Sequence, residues 1–173
     1  MKISRHVSAV LSCAAAAALA LPLFAAAQAA GVLDAQQAGK LLPPSVYFDG
    51  QSASTQLRNA TGVRFADGQL SLAVLVDSSG YSGAVAQRYQ GYLLTQVPLD
   101  FGGHRLPAGA YGMGIVHGEL HIMDIGDHDL LRTAATHDAA MHRPVPLQIV
   151  AGTTPDTYRL CFGRECILFR RAK

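Results

Sequence analysis

Tryptophan is absent from this 173-residue sequence, cysteine occurs three times, and aromatic residues make up only 7 % and charged residues 15 % of it. Each scarcity excludes something. With no Cys-x-x-Cys spacing and no second cysteine pair, a zinc ribbon or a dithiol redox site has nothing to be built from. Charge of neither sign dominates: fourteen Lys and Arg face twelve Asp and Glu. Two of the basic residues, Lys2 and Arg5, belong to an amino-terminal leader, which leaves twelve of each sign. A broad nucleic-acid surface needs an excess of cations to displace phosphate counterions, so this balance argues against a nucleic-acid partner. What is abundant is apolar side chain, half of all residues. That is too much for a disordered chain, and no repeat or linker divides it, so one compact domain is expected.

Lys2 and Arg5 precede an apolar run from Val7 to Ala27, and Ala27-Gln28-Ala29 supplies the small-x-small pattern read by signal peptidase. Residues 1–29 are therefore expected to be a secretory signal peptide. The run approaches the ~20 residues that span a bilayer, but its alanine richness, Pro22 and cleavage pattern separate it from an anchor. Cys13 follows Arg5 too closely for a lipoprotein processing box. Cleavage after Ala29 leaves 144 residues, enough for one domain with a real core. The expected location is outside the cytoplasm, periplasmic or secreted, with no stable membrane insertion once the leader is gone.

Beyond the leader, residues 30–42 read as an N-terminal helical segment, with Asp34 as its cap and Pro43-Pro44 as its stop. A β-domain is expected over 43–173. Ser45 to Phe48 and Thr55 to Asn59 read as short strands joined by a turn over Asp49 to Ser52. Val63 to Phe65 and Leu70 to Val76 read as a hairpin whose Asp67-Gly68 supplies positive φ angles. Ala84 to Gln90 lacks strand alternation and reads as one or two helical turns. Tyr92 to Val97 is the next strand. Ala110 to Val116 and Leu120 to Ile125 should pair across His117-Gly118, with Gly112 and Gly114 marking a close approach of backbone. Asp127 to Arg143 is polar, rich in histidine and without period, so it reads as the longest loop. Leu147 to Val150 is a further strand, and Arg170, Arg171 and Lys173 read as a solvated terminal tail.

Tyr158 to Phe162 and Glu165 to Phe169 flank Gly163-Arg164. In that two-residue hairpin Cys161 faces Cys166 on a non-hydrogen-bonded pair, where side chains come closest. A cross-strand disulfide is expected there, and an oxidising compartment would preserve it. Short strands at regular spacing with turn dipeptides between them define an all-β fold. We expect a single antiparallel β-sandwich or small β-barrel with short peripheral helices.

The densest group of metal-capable side chains is His117, Glu119, His121, Met123, Asp124, Asp127, His128 and Asp129. Imidazole suits Cu or Zn, and thioether sulfur suits Cu(I). If Leu120 to Ile125 is a strand, His121 and Met123 share one face, so a metal site would use His121, Met123, His117 and His128. Surface histidines beside carboxylates also occur without any such role. His121-Ile122-Met123 resembles the His-x-Met half of the motif in periplasmic copper chaperones of the cupredoxin-like type. That motif also carries an upstream His and Met, whereas here no histidine lies between the leader and His104 and no methionine before Met113. A second resemblance lies in Gly103-His104-Arg105-Leu106-Pro107-Ala108-Gly109-Ala110-Tyr111, which is similar to the G-x-x-L-x-A-G-x-Y lead-in to a strand in small exported bacterial β-sandwich families of unknown function. It implies a fold and no catalytic residue.

Gly80-Tyr81-Ser82-Gly83-Ala84 sits between an apolar strand and a helical turn, the setting of a nucleophile elbow. Ser82 could then act with Asp124 or Asp127 and with His137 or His142. An α/β-hydrolase needs parallel strands and crossover helices before that elbow, and the residues preceding Ser82 read as hairpins. A turn serine is the plainer reading. Gly112-Met113-Gly114 lacks the following helix that a dinucleotide loop requires. Asn59-Ala60-Thr61 fits a glycosylation sequon. The leading functional expectation is an exported, non-enzymatic β-domain that needs no cofactor and binds a small apolar ligand, an envelope component or a protein partner. A periplasmic Cu or Zn binding protein and a small serine hydrolase are the alternatives.

Overall fold

The computed structural model describes residues 29–173; the expected signal peptide, with Lys2, Arg5 and Cys13, lies outside the described residues except for Ala29. The chain runs through β1 (Gly31–Leu33), α1 (Ala35–Gly39), β2 (Ser45–Phe48), β3 (Gln51–Arg64), β4 (Leu70–Val76), α2 (Gly83–Arg88), β5 (Gly91–Thr95), β6 (Leu99–Phe101) and β7 (His104–Leu106). It continues through β8 (Gly109–Val116), β9 (Glu119–Met123), β10 (Asp129–Ala134), β11 (Thr136–His137), β12 (Gln148–Ala151), β13 (Thr157–Phe162) and β14 (Glu165–Arg171). All pairings are antiparallel and form two sheets. The larger has the order β1-β3-β4-β5-β8-β9-β10, with β2 on the first half of β3; the smaller has the order β12-β13-β14-β6-β7, with β11 on β14. The fold is an all-β sandwich with two short helices, as the hairpin series predicts.

Local chemistry accounts for the connections. Asp49-Gly50, Gly102-Gly103 and His117-Gly118 each place two successive residues at positive φ. Such turns match the right-handed twist of the strands that they join. At Asp67-Gly68 only Gly68 has a positive φ, because the loop is longer than two residues and Phe65 N–H reaches back to the Gln69 carbonyl at 2.9 Å. Helix α1 begins with the expected cap. The Asp34 carboxylate accepts the Gln37 N–H at 2.8 Å and the Gln37 side chain accepts the Asp34 N–H at 3.1 Å, a reciprocal capping box.

The centre of the larger sheet is buried on both faces, which explains the apolar run from Leu72 to Val76 in β4. Ala73, Leu93, Met113, Leu120 and Ile122 point toward the smaller sheet and meet Leu99, Phe101, Leu160, Ile167 and Phe169 there. The alternate residues Leu72, Val74, Tyr92 and Met123 face the other way. They are covered by α1, α2 and the β2–β3 ribbon, which contribute Ala38, Phe48, Ala53 and Tyr89 to this second core. A register shift in β3 between Gln56 and Ala60 lets one strand serve both the ribbon and the sheet, the usual effect of a bulge. Sequence alternation alone therefore reads β3 as two strands where there is one.

Three further expectations change. Asp127 to Arg143 is not one loop: β10 pairs with β9 in the larger sheet, and two residues later β11 pairs with β14 in the smaller one. Its polar composition reflects edge strands with one solvated side. Phe101 pairs with His104 in a hairpin, β6–β7, in a stretch for which no strand is expected. The basic terminus is strand, not tail, down to Arg171: Arg170 reaches Asp100 at 2.9 Å and Arg171 reaches Asp67 at 2.6 Å. The Arg171 guanidinium also lies 5.7 Å from the Phe65 ring centre. In the last hairpin Phe162 opposes Glu165 and Cys161 opposes Cys166, as expected. The cysteines form a disulfide with Cα atoms 4.1 Å apart.

Candidate functional site at the β9–β10 hairpin

Strand alternation sends Leu120 and Ile122 into the core between the sheets and His121 and Met123 to the opposite face. On the neighbouring strand, Gly112 and Gly114 keep that face low. A Cβ at Gly112 would overlap the Phe48 ring, and one at Gly114 would overlap the Arg88 carbonyl. The missing side chains let α2 settle directly on the sheet. Ser82 caps α2 by accepting the Val85 N–H at 3.4 Å. The helix then delivers Arg88 and Tyr89 to the site, with Tyr89 stacked on Phe48 at a ring separation of 3.9 Å.

The Arg88 guanidinium organises the charged groups around it. It lies 2.5 Å from Asp127 Oδ2, 3.4 Å from Asp129 Oδ1 and 3.4 Å from Met123 Sδ. Asp127 is held in the left-handed region, φ 65°, in the loop between β9 and β10. Arg132 takes the other oxygen of Asp129. Burial works to raise the Asp129 carboxyl, but the Arg132 hydrogen bond and the charges of Arg132, Arg88 and His121 outweigh it and hold the carboxyl below its ordinary value. His121 is 6 % exposed, and its Nδ1 sits 3.8 Å from Asp129 Oδ1, beyond hydrogen-bond length. His121 Nδ1, Tyr89 Oη and Asp127 Oδ1 are all buried without a hydrogen-bonding partner in the protein. Burial raises the Tyr89 phenol far above its usual range.

Of the four expected metal ligands, His121 and Met123 do share a face. His117 lies exposed on the β8–β9 turn, and His128, with a side chain 79 % exposed, turns its ring to Asp124 at 3.1 Å. The Met123 sulfur faces a guanidinium. Among the described residues, no three His, Cys, Asp or Glu side chains are grouped so that they could hold a metal ion. The serine constellation is likewise dispersed. Ser82 caps α2 on the outer face of the larger sheet, while His137 lies on β11 of the smaller sheet with its Nδ1 2.5 Å from Glu165 Oε1. Asp127 is engaged by Arg88, Asp124 accepts the main-chain N–H groups of Gly126 and His128, and His142 is exposed between β11 and β12.

Sequence reading names the carboxylates and His121 but misses Arg88 and Arg132. No local signal marks either one. Arg88 ends a six-residue helix some forty positions before its partners, and only the docking of α2 brings them together. Among the described residues, no helix is long and apolar enough to cross a membrane. Comparison of the chain with protein-family models, with curated proteins and with solved structures gives no match.

Proposed function

We propose that this protein is an exported, non-enzymatic β-sandwich that acts by binding a protein partner or envelope component at its surface. The observation that carries this reading is the filled interior. Leu93, Met113, Leu120, Ile122 and Leu160, at the centre between the sheets, are 2 % exposed or less, and Phe48 and Tyr89 in the second core are fully buried. A small apolar ligand is ordinarily held in an enclosed, mostly apolar cavity. The groove of about 560 Å³ beside Phe65, Pro155 and Arg171 is open to solvent.

Apolar surface outside the cores supports the same reading. Tyr47, Ile125 and Leu130 are 57 %, 49 % and 49 % exposed. They lie at one end of the molecule: the Asp49 N–H donates to the Ile125 carbonyl at 2.8 Å, and Leu130 is the bulged residue at the start of β10. Arg88 and Arg132 both reach Asp129, the residue before Leu130. Exposed aromatic and aliphatic residues beside arginines are the composition of an interface centre.

A photoreactive residue at position 125 or 130, introduced in the exporting cell, tests the reading. A discrete cross-linked adduct is expected, weakened by Tyr47→Ser. Absence of any adduct from either position, together with tight uptake of a fluorescent fatty acid, would replace the surface partner with an enclosed ligand.

A further inference from the structure

We propose that the outer face of the smaller sheet docks this protein on an anionic membrane surface, through arginines set around Leu168. The charges outside the leader balance overall, but the two sheets do not share them evenly. Residues 96–108 and 135–173, which build the smaller sheet, carry seven of the twelve Lys and Arg but only four of the twelve Asp and Glu. The larger sheet and the elements packed on it carry the other five and eight. The smaller sheet therefore holds a cationic excess that the neutral composition conceals.

Strand alternation decides which of these side chains face outward. Leu99, Phe101, Leu106, Leu160, Ile167 and Phe169 fill the core between the sheets, so Asp100, Arg105, Arg159, Leu168 and Arg170 point the other way. Pairing lines them up. Arg159 stands opposite Leu168, and Arg170, Asp100 and Arg105 stand side by side across β14, β6 and β7. Leu168 is 53 % exposed, with Arg159 beside it and Arg170 two residues on. Helices α1 and α2 pack on the larger sheet. On the smaller one, the β11–β12 connection covers part of the outer face, bringing Asp138 to Arg159 at 2.7 Å and Arg143 to a groove beside Val150 and Arg159.

Asp100 and Asp138 neutralise Arg170 and Arg159. Arg105 and Arg143 are exposed and, among the described residues, neither is ion-paired to a carboxylate side chain; Arg105 donates to the main-chain oxygen of Lys173 at 2.6 Å. The face thus keeps two cations able to meet a partner's anions. Anionic lipid attracts each such side chain within a Debye length of its surface, and an open sheet face presents both together. Its apolar contribution favours headgroups over an acidic protein. Leu168, with Val145 in the connection, offers aliphatic points that can enter a headgroup layer, whereas a protein interface is centred on aromatic anchors. This is docking on the surface, not insertion. It uses the other sheet from Tyr47, Ile125 and Leu130, and it stands whether or not those residues take a partner.

The test sediments the protein recovered from the exporting cell with vesicles of phosphatidylcholine alone, or of equal parts phosphatidylcholine and phosphatidylglycerol. We expect binding to the mixed vesicles only, lost as sodium chloride is raised. Arg105→Gln with Arg143→Gln should weaken it about tenfold or more, and Leu168→Gln should weaken it several-fold. Lys40→Gln with Arg58→Gln removes two cations from the larger-sheet side and should leave it nearly unchanged. All five side chains are exposed, so the variants should keep the far-ultraviolet circular dichroism of the parent. Equal binding to both kinds of vesicle, binding that survives the double arginine substitution, or an equal loss in the Lys40 and Arg58 variant would overturn the proposal. Failure to bind the mixed vesicles would also overturn it, and retention on immobilised polyglutamate would then assign the face to an acidic polypeptide.

Discussion

The Ile149 main-chain N–H donates to the Thr61 hydroxyl at 3.0 Å, joining the edge strand β12 of the smaller sheet to the larger sheet. Thr61 belongs to β3 and donates onward to the Leu33 carbonyl of β1 at 3.3 Å. One buried hydroxyl thereby satisfies two strands of the larger sheet and one of the smaller. Thr61→Val keeps the shape but leaves the Ile149 N–H unpaired, which costs about 1–3 kcal/mol. Urea unfolding should show that loss, and Thr61→Ser should retain most of the stability. The same burial places the sequon at Asn59 in a strand whose Thr61 is inaccessible in the folded chain.

Arg88 and Asp127 should be strongly coupled. Either substitution alone, Arg88→Met or Asp127→Asn, strands a partly buried charge. Side-chain exposures of 26 % and 17 % put the cost below that of a fully buried pair, at about 1–2 kcal/mol once solvent screening is allowed for. The double variant should lose clearly less than the sum of the two, as a double-mutant cycle of urea midpoints would reveal.

Glycines on the larger sheet differ by position. Gly112→Ala and Gly114→Ala drive a Cβ into the Phe48 ring and the Arg88 carbonyl respectively, and overpacking of this kind costs about 1–3 kcal/mol. Position 114 should suffer more, because the obstacle is main chain and cannot rotate away. Gly83→Ala meets nothing within 4 Å at the start of α2 and should be neutral or stabilising by up to about 1 kcal/mol. Thermal unfolding of the three variants gives the order.

Reduction should weaken the domain without unfolding it. The Cys161–Cys166 link closes a loop with a sequence separation of 5, for which chain entropy gives about 2 kcal/mol. The double variant Cys161→Ala with Cys166→Ala should lose that amount by urea unfolding and keep its far-ultraviolet circular dichroism.

Acid should destabilise the fold through its aspartates. The Arg171 hydrogen bond holds Asp67 down, the Gly103 N–H and Arg170 hold Asp100, and Arg159 holds Asp138. A carboxyl depressed by folding contributes stability that is fully present above its unfolded pKa and is lost as pH falls through the folded one. The urea midpoint should therefore decline below about pH 4, the ordinary carboxylate range. Asp100→Asn should flatten the decline.

Turn chemistry and alternation carry much of the architecture in plain view. His117-Gly118 and Gly163-Arg164 announce their hairpins, and the second sets the register that puts Cys161 opposite Cys166. Asp34 announces its helix. These are local effects: a positive φ, a cap or a two-residue loop acts on its immediate neighbours whatever the rest of the chain does. Gly112 and Gly114 are intermediate, since their spacing warns of a close approach but not of what approaches.

What the amino-acid order determined by itself, then, is the β character of the domain, most of its hairpins and the cysteine pair. Tertiary structure alone decided that β3 is one bent strand, that β10 passes into β11 across the gap between the sheets, and that Arg88 enters the pocket of His121, Met123, Asp127 and Asp129. Each of these depends on packing between residues far apart in the chain. Burial on both faces of a sheet erases the alternation by which strands are read, and the reach of a guanidinium depends on where its helix docks.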